Sequence, residues 1–227
     1  MQTTTTTTTL RGTRRAVRPA RRPSPPDAWL KPGILVGALT PLASIAIRGL
    51  SGSLSANPIA EVENELGLAA LIFLVASLAC TPARRVFGWT WPARIRRQLG
   101  LLAFGYAGLH VLVYILLDQV LDLQAMWDDV IKRPFITVGF GALVLLVPLA
   151  ITSTRGSVRR LGFARWQRLH QLAYVAGILA AVHFIWRVKL DVSQPLAYAI
   201  VLGTLLATRL VFWLWPRRER LAQRRTR

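Results

Sequence analysis

The sequence predicts an all-α fold, a polytopic membrane protein built as a bundle of six transmembrane helices. Of its 227 residues, 53% are hydrophobic and only 17% are charged, whereas about a quarter of the residues in a soluble domain are charged. The charged residues also cluster between long apolar segments, which is the pattern of a membrane protein. Apolar runs of this length are typical of helices, which satisfy their own backbone hydrogen bonds in lipid, and not of barrel strands.

Six apolar segments come close to the roughly 20 residues that a helix needs to cross the hydrocarbon core of a bilayer. The predicted spans are residues 33–50, 66–81, 99–117, 134–151, 168–186 and 195–215. They lie within a membrane domain of residues 31–216. Residues 1–30 contain a run of threonines and an Arg- and Pro-rich stretch, which predicts a disordered basic cytoplasmic tail. Residues 217–227 form a second basic cytoplasmic tail.

The distribution of basic residues predicts the orientation of the bundle. Seven of the 29 Lys and Arg residues precede the first span, five lie in residues 82–98, five in residues 152–168 and six after Pro216. The opposite side of the membrane receives eight of the ten acidic residues and five basic ones: Arg48, Lys132, Arg133, Arg187 and Lys189. Because cytoplasmic segments are enriched in Lys and Arg, both termini are predicted to be cytoplasmic. The eight tryptophans fall near span ends, as in an interfacial aromatic belt.

Composition and motifs also exclude several classes of protein. The net charge of +19 follows from topology and contact with anionic lipids, so we do not predict binding of nucleic acid. Cys80 is the only cysteine, which rules out an intramolecular disulfide, and the sequence has no Cys-x-x-Cys-His motif for a covalent c-type haem. The arginine pairs at residues 14–15 and 21–22 are not followed by the apolar region and cleavage site of a twin-arginine signal.

The three histidines, His110, His170 and His183, all lie in predicted spans. Ionisable residues in a membrane usually face the bundle interior and mark ion paths, proton relays or cofactors, although a single histidine can simply bond a neighbouring helix. On one continuous helix, His170 and His183 would be about 20 Å apart and rotated by roughly 140°. The two residues therefore cannot bind the same metal atom, and a compact zinc or copper site from this pair is excluded.

Depth in the membrane pairs the histidines differently. His110 lies about 20 Å from the cytoplasmic edge when counted from Arg97, and His183 lies about 22 Å from it when counted from Arg168. Two imidazoles at equal depth on facing helices suit a six-coordinate, low-spin haem b held between the third and fifth transmembrane helices. His170 stays near the cytoplasmic side, where it would hold an inner haem alone or with a ligand that is not histidine.

A haem also needs cations for its propionates and space between the helices. The cations available are Arg96, Arg97, Arg165 and Arg168 on the cytoplasmic side and Arg187 and Lys189 on the outer side. The glycines that offer clearance for a flat porphyrin are Gly105, Gly108 and Gly177. Small residues in membrane helices also serve close packing, so both roles stay open for these glycines.

Three sequence blocks carry a family resemblance. They are RRQLGLLAFGYAGLHVLVY, KRPFITVGF and PLAITSTRGSVRRLGFARWQRLHQLAYVAGILAAVHFIWRVK. Together with the separations of 60 and 13 residues between the histidines, these blocks closely resemble the MsrQ family. Its members are the haem-binding membrane subunits of bacterial methionine sulfoxide reductase systems, within the ferric-reductase-like transmembrane family. The resemblance covers roughly residues 30–215.

The resemblance implies that His110 and His183 ligate a haem b toward the periplasm and that His170 belongs to an inner haem site. It also implies FMN, whose phosphate the basic cytoplasmic loops would hold. Electrons would come from the quinone pool or a cytoplasmic flavin reductase and pass to a periplasmic molybdopterin subunit, MsrP, which reduces methionine sulfoxide in oxidised proteins. The protein would then be an electron-transfer subunit of the bacterial inner membrane and not a complete enzyme.

Two other functions stay open at this point. The sequence has no G-x-G-x-x-G motif after a strand and about a dozen residues after the last span, which argues against a self-contained NADPH oxidase or ferric reductase. A cytochrome b that serves another terminal reductase fits the same residues. A haem-free transporter that uses the histidines as a proton relay is the alternative from a different class.

Overall fold

The structure, a computed structural model, describes the backbone of residues 25–225 and the side chains of residues 29–214. Within these ranges the chain forms helices and no strands. In chain order they are α1 (Pro25–Leu50), α2 (Pro58–Phe87), α3 (Pro92–Val113), α4 (Leu123–Lys132), α5 (Pro134–Ile151), α6 (Arg155–Leu161), α7 (Phe163–Leu169), α8 (Leu172–Arg187) and α9 (Ser193–Arg225). A π-helical turn, Tyr114–Asp118, extends α3. The first 24 residues of the predicted N-terminal tail and residues 226–227 lie outside the described part.

Six segments are long and apolar enough to cross a membrane, which confirms the predicted all-α, six-span fold. They are Trp29–Leu50, Pro58–Phe87, Pro92–Asp118, Pro134–Ile151, Phe163–Arg187 and Ser193–Leu214. The second segment has 30 residues, although the sequence predicted a short one. Its two ends carry charged residues, which are Glu61, Glu63, Glu65, Arg84 and Arg85. These charges lower the local hydropathy, so a search for apolar residues misses helical turns that the backbone nevertheless forms.

The ends of the helices follow from local sequence. Asn57 caps α2 by accepting a hydrogen bond from the backbone N–H of Ala60 at 3.2 Å. Gly88 ends the same helix with a φ of 70°, in the left-handed region that favours glycine. Before α9, the Asp191 carboxylate accepts a hydrogen bond from the backbone N–H of Ser193 at 2.9 Å. Hydrogen bonding from the Ser193 side chain, together with this backbone bond, holds the pKa of the Asp191 carboxyl below its usual range.

The fifth span is interrupted, although the sequence predicted one continuous helix through this region. α7 ends at Leu169 and α8 begins at Leu172. His170 caps the end of α7, with its backbone N–H bonded to the carbonyl of Trp166 at 3.0 Å. The predicted distance of about 20 Å between His170 and His183 assumed one continuous helix. Because α8 begins only at Leu172, that assumption does not hold for His170.

The core of the bundle lies between α2, α3, α5, α8 and α9. α2 packs along α3, and α5 packs along α8. Ala103 and Ala176 are fully buried, and such small side chains let membrane helices approach closely. Gly177 acts in the same way, because a Cβ at this position would lie 3.3 Å from Cδ1 of Leu78. One buried cluster consists of Leu74, Leu78, Ala103, Leu146, Ala176, Ala181 and Leu202.

α1 lies at the periphery of the bundle and is joined to it by polar contacts. Arg48 forms ion pairs with Glu61 and Glu65 at the start of α2, with 2.5 Å between Nη2 and Oε2 of Glu65. The hydroxyl of Tyr106 donates a hydrogen bond to the carbonyl of Ala38. These contacts hold α1 against α2 and α3.

The segment between the third and fourth spans, which the sequence predicted as a loop, contains the short helix α4. Asp122 caps it by accepting a backbone hydrogen bond at 3.0 Å. Two ion pairs follow, each between residues one helical turn apart: Lys132 with Asp128 at 2.6 Å and Arg133 with Asp129 at 3.1 Å. Because α4 contacts α5, it lies over the end of the bundle that the charge distribution predicts to be the outer one.

Candidate functional site

α2, α3, α5 and α8 enclose a cavity of about 470 Å³, and α4 covers its outer end. The volume lies in the range of sites for small molecules and cofactors, about 300–1,000 Å³. The deeper wall is apolar and includes Leu71, Leu74, Ala107, Leu146 and Ala180. The outer mouth is polar and includes Glu63, Asn64, Asp118, Arg133 and Arg187. A molecule with an apolar body and a charged end fits such a cavity.

His110 and His183 face each other across this cavity. Their ring centroids are 6.3 Å apart, and the ring planes are inclined by 77°. His110 projects from α3 and His183 from α8, which belong to the third and fifth spans. The structure thus brings together the two histidines that the depth count placed at one level.

Both rings are held through Nδ1. The Nδ1 atom of His110 lies 2.8 Å from the carbonyl oxygen of Glu63, and that of His183 lies 2.7 Å from the carbonyl oxygen of Phe135. A carbonyl oxygen only accepts hydrogen bonds, so Nδ1 carries the proton in each ring. In the neutral imidazole Nε2 is then unprotonated, and it is the nitrogen of each ring that can ligate a metal.

Two glycines let the rings reach these carbonyls. Gly67 and Gly139 each stand four residues after the residue whose carbonyl accepts, which places them one helical turn further along. A Cβ at Gly139 would lie 2.6 Å from Nδ1 of His183, and a Cβ at Gly67 would lie 3.2 Å from Nδ1 of His110. The first distance is too short for non-bonded atoms and the second is tighter than ordinary contact. The same arrangement of carbonyl and glycine thus serves both histidines.

The spacing of the rings fits axial ligation of one haem iron. Two iron–nitrogen bonds of about 2 Å, with about 1.1 Å from each nitrogen to its ring centre, place the ring centroids about 6 Å apart. The observed separation is 6.3 Å. Among the described residues, no group of three or more His, Cys, Asp or Glu side chains is close enough to bind a bare metal ion. The donor set therefore suits a metal that brings its own equatorial ligands.

Charged side chains stand at the mouth of the cavity. Nη1 of Arg187 donates a hydrogen bond to the side-chain oxygen of Asn64, and Arg133 pairs with Asp129. Oε1 of Glu63 is buried and has no hydrogen-bond partner in the described structure. The two cations, Arg133 and Arg187, suit the propionates of a haem, whereas the Glu63 carboxyl offers them no such partner. The sequence predicted this role for Arg187 but not for Arg133, which follows α4 and turns toward the cavity.

His170 lies apart from this cavity, at the break between α7 and α8. Its Nε2 atom is 3.1 Å from the hydroxyl of Thr152, and its ring centroid is 4.1 Å from that of Trp166. Arg96 is half-buried, with Nη1 placed 3.4 Å from the hydroxyl of Thr81. The structure therefore provides His170 with aromatic and hydroxyl neighbours, and His110 and His183 do not reach it.

The other residues predicted to surround a haem do not line the outer cavity. The exposed ones are Lys189, Arg97, Arg165 and Arg168. A Cβ at Gly105 or Gly108 would meet no atom within 4 Å, so neither glycine clears space beside a histidine. Gly67 and Gly139, which the sequence analysis did not single out, are instead the glycines packed against the outer histidine rings. The depth count places them near the level of those histidines but does not show which way a glycine faces.

Comparison with known proteins identifies the family. Residues 59–181 match the family described as ferric reductase like transmembrane component. A protein of Deinococcus radiodurans named protein-methionine-sulfoxide reductase heme-binding subunit MsrQ is 54% identical over 191 residues, which cover 84% of this chain and 94% of that protein. Proteins of the same name from Rhodospirillum rubrum and Herminiimonas arsenicoxydans are 54% and 46% identical, over 78% and 87% of this chain and 86% and 92% of their own lengths. The chain therefore belongs to the MsrQ family of ferric-reductase-like transmembrane proteins.

Proposed function

We propose that this protein is an electron-transfer cytochrome b of the bacterial inner membrane, which passes electrons from the cytoplasmic side to a periplasmic reductase. The observation that carries the proposal is the pair of His110 and His183. Each imidazole is fixed through Nδ1 by a helix carbonyl, and the two rings have a separation that suits the two faces of one haem iron. The relatives are named as heme-binding subunits, which supports the same cofactor.

Bound in this cavity, a haem b supplies a one-electron redox centre within the membrane. His110 and His183 would together hold its iron, and a haem held by two histidines would serve electron transfer and not oxygen binding. The hydrogen bonds from Nδ1 orient the two rings and raise the basicity of Nε2. The apolar wall keeps water away from the centre, and the arginines at the mouth offset the charge of the propionates.

We propose that the recipient of the electrons is MsrP, a periplasmic molybdopterin subunit that repairs methionine sulfoxide in oxidised proteins. Two observations support this assignment. The relatives are named as subunits of a protein-methionine-sulfoxide reductase. The polar mouth of the cavity also lies at the end of the bundle that carries the acidic residues, which the positive-inside rule places in the periplasm. The donor would be the quinone pool or a cytoplasmic flavin reductase.

A second haem at His170 and an FMN complete the proposed set of cofactors. The position of His170 in the cytoplasmic half, with Arg96 close enough for its charge to act on the ring, supports the inner haem. The basic cytoplasmic segments supply cations for the phosphate of FMN. Both termini would be cytoplasmic, because six spans place the two ends of the chain on one side of the membrane, the side of the basic segments 82–98 and 152–168.

A reduced-minus-oxidised absorption spectrum of the purified full-length protein, combined with a pyridine haemochrome assay, tests the proposal. We expect the α and Soret bands of a low-spin haem b. A protein without a Soret band would contradict the proposal and favour the proton-relay transporter. Haem bands in a protein that does not reduce purified MsrP would instead favour a cytochrome b that serves another reductase.

A further inference from the structure

Arg209 stands inside the sixth membrane span, Ser193–Leu214, which holds no other Lys or Arg. A charged side chain within a span is costly, and such residues usually face the bundle interior and pair with another group. Arg209 follows this rule, since it is half-buried between α9 and its neighbours. Its contacts identify the groups that it binds.

Three contacts fix the guanidinium of Arg209. Nη2 donates a hydrogen bond of 2.7 Å to the carbonyl of Leu78. That carbonyl lacks its usual helical donor, because the residue four positions further on is Pro82, which has no N–H. Nη1 donates to the hydroxyl of Tyr174, and the guanidinium carbon lies 4.6 Å from the centroid of the Tyr174 ring, within the range of a cation–π contact. The guanidinium therefore has one defined orientation.

The described structure offers Arg209 no negative charge. The neighbouring charges that act on it include those of Arg96 and Arg85, which are also cations. The acidic side chains within residues 29–214 all lie near the outer helix ends, at Glu61, Glu63, Glu65, Asp118, Asp122, Asp128, Asp129 and Asp191. Nε of Arg209 is buried and has no hydrogen-bond partner in the described structure. A buried donor among uncompensated cations points to an anionic ligand.

Tyr174, which contacts Arg209, places this group near His170 along the chain. Tyr174 lies one turn after His170, in the first turn of α8. The charge of Arg96 acts on His170 as well as on Arg209. We call Tyr174 and Arg209, which contact each other, together with Arg96, whose charge acts on Arg209, the inner polar cluster. The helices α3, α8 and α9 each contribute one of these residues.

We propose that the inner polar cluster binds the anionic oxygen atoms, carboxylate or phosphate, of a cofactor held next to His170. A guanidinium matches such oxygens because it presents several N–H donors in one plane. Arg209 uses two of its five donors on Leu78 and Tyr174, and Nε–H is among those left. The inference rests on the proposed function, because it requires an inner cofactor. The propionate of a second haem and the phosphate of FMN both have the required chemistry.

The test is Arg209→Gln in the full-length protein, with haem and released FMN each measured per polypeptide. The low-spin signal of the outer haem serves as the control for folding. If a propionate is the ligand, the inner haem is lost on dilution and the outer signal stays. If a phosphate is the ligand, haem content is unchanged and FMN is lost. In either case we expect the affinity to fall on the order of tenfold, as for a lost hydrogen bond to a charged group.

Two further variants separate anion binding from support of the fold. Arg209→Lys keeps the charge and can still bond the Leu78 carbonyl, but one ammonium cannot also match the anion as a planar fork does. It should fold, as judged by the outer haem, and still lose the inner cofactor on dilution. Lys132→Gln removes an exposed cation of α4 that pairs with Asp128, away from the inner polar cluster, and should change neither cofactor.

Several outcomes would overturn the inference. One is an Arg209→Lys protein that keeps the wild-type haem and FMN through the same dilution. Another is a wild-type protein that carries the outer haem and no second cofactor. A wild-type protein without the outer low-spin signal would instead contradict the proposed function itself, so the two failures can be told apart.

Discussion

In the outer half of the bundle two histidines project from helices, whereas in the inner half a single histidine occupies the break between α7 and α8. The outer rings of His110 and His183 donate through Nδ1 to helix carbonyls at 2.8 and 2.7 Å. The inner ring of His170 uses Nε2, which lies 3.1 Å from the hydroxyl of Thr152. The outer mouth also contains carboxylates beside its cations, while the inner polar cluster contains cations and a tyrosine but no carboxylate.

The chain therefore fixes the outer site by itself, whereas the proposed inner site depends on the ligand that binds there. Backbone carbonyls of two packed helices position the outer nitrogens, so the outer pair is preorganised for a metal. At the inner site, a metal at Nε2 of His170 would have to displace the Thr152 hydroxyl. The cations there gain a counter-charge only from a ligand. We therefore expect variants in the outer half to act on one well-defined signal and variants in the inner half to spare it.

The largest effect is expected for His110→Ala and His183→Ala. Each change would remove one of the two proposed haem ligands, so both single variants should lose the same low-spin haem signal. The double variant should resemble each single variant, because the two residues act as a unit. Electron paramagnetic resonance of the oxidised protein measures the signal directly. A double variant with a much larger loss than either single variant would mean that the histidines serve two different centres.

If the outer and inner halves are assigned correctly, they face opposite compartments. A reporter fused after Trp127, in α4, should read as periplasmic, and one fused after Arg227 should read as cytoplasmic. Paired alkaline phosphatase and fluorescent protein fusions make this measurement. Two cytoplasmic readings would reverse the assignment of outer and inner and overturn the six-span topology.

His170→Ala should leave the outer low-spin signal in place. His170 lies outside the outer cavity, and its side chain contacts Thr152 and Trp166. We expect loss of a different spectral component and slower reduction of the outer haem from the cytoplasmic side, measured by stopped flow with a reduced flavin. His183→Ala is the matched comparison on the same span. Loss of a signal shared by His110→Ala and His170→Ala, with His183→Ala unaffected, would reassign the outer pair.

The six spans and the meeting of the outer histidines could be predicted from the sequence. Both depend on quantities that a sequence carries, the length of apolar runs and the rise of 1.5 Å per residue of a helix. The break at His170 could not be predicted, because residues 168–172 contain neither Pro nor Gly. Tertiary contacts coincide with it: the indole N–H of Trp166 donates to the carbonyl of Thr152 at 3.0 Å, and the Thr152 hydroxyl meets His170.

The roles of the glycines show the same limit. Gly67, Gly105, Gly108 and Gly139 look alike as glycines in apolar spans. Only the rotation of each helix decides which of them faces an imidazole, and that rotation is set by packing between helices. Arg209 could likewise not be recognised from the sequence. One cation in a long apolar run changes the hydropathy little, and its partners come from α2 and α8.

Gly139→Ala tests how the ring of His183 is positioned in the outer half. The added methyl would lie 2.6 Å from Nδ1 of His183, so the ring must leave its carbonyl partner. We expect outer haem affinity to fall by about tenfold, as for other lost partners of metal ligands. Gly67→Ala should have a smaller effect, because its Cβ would lie 3.2 Å from His110. Gly105→Ala is the control, and an equal loss there would mean that helix stability and not ring position was measured.

The smallest effect is expected at Cys80, which lies on the inner side but outside the inner polar cluster. Its side chain is 5% exposed, packs with Ile95 and Leu99 and donates a weak hydrogen bond to the carbonyl of Ala76 at 3.3 Å. Cys80→Ser should preserve this bond, since a hydroxyl in a helix can donate to the carbonyl four residues earlier. Haem content and reduction rate should match those of the wild type. A large loss in both Cys80→Ser and Cys80→Ala would identify a thiolate ligand and give the inner half a second metal-binding residue.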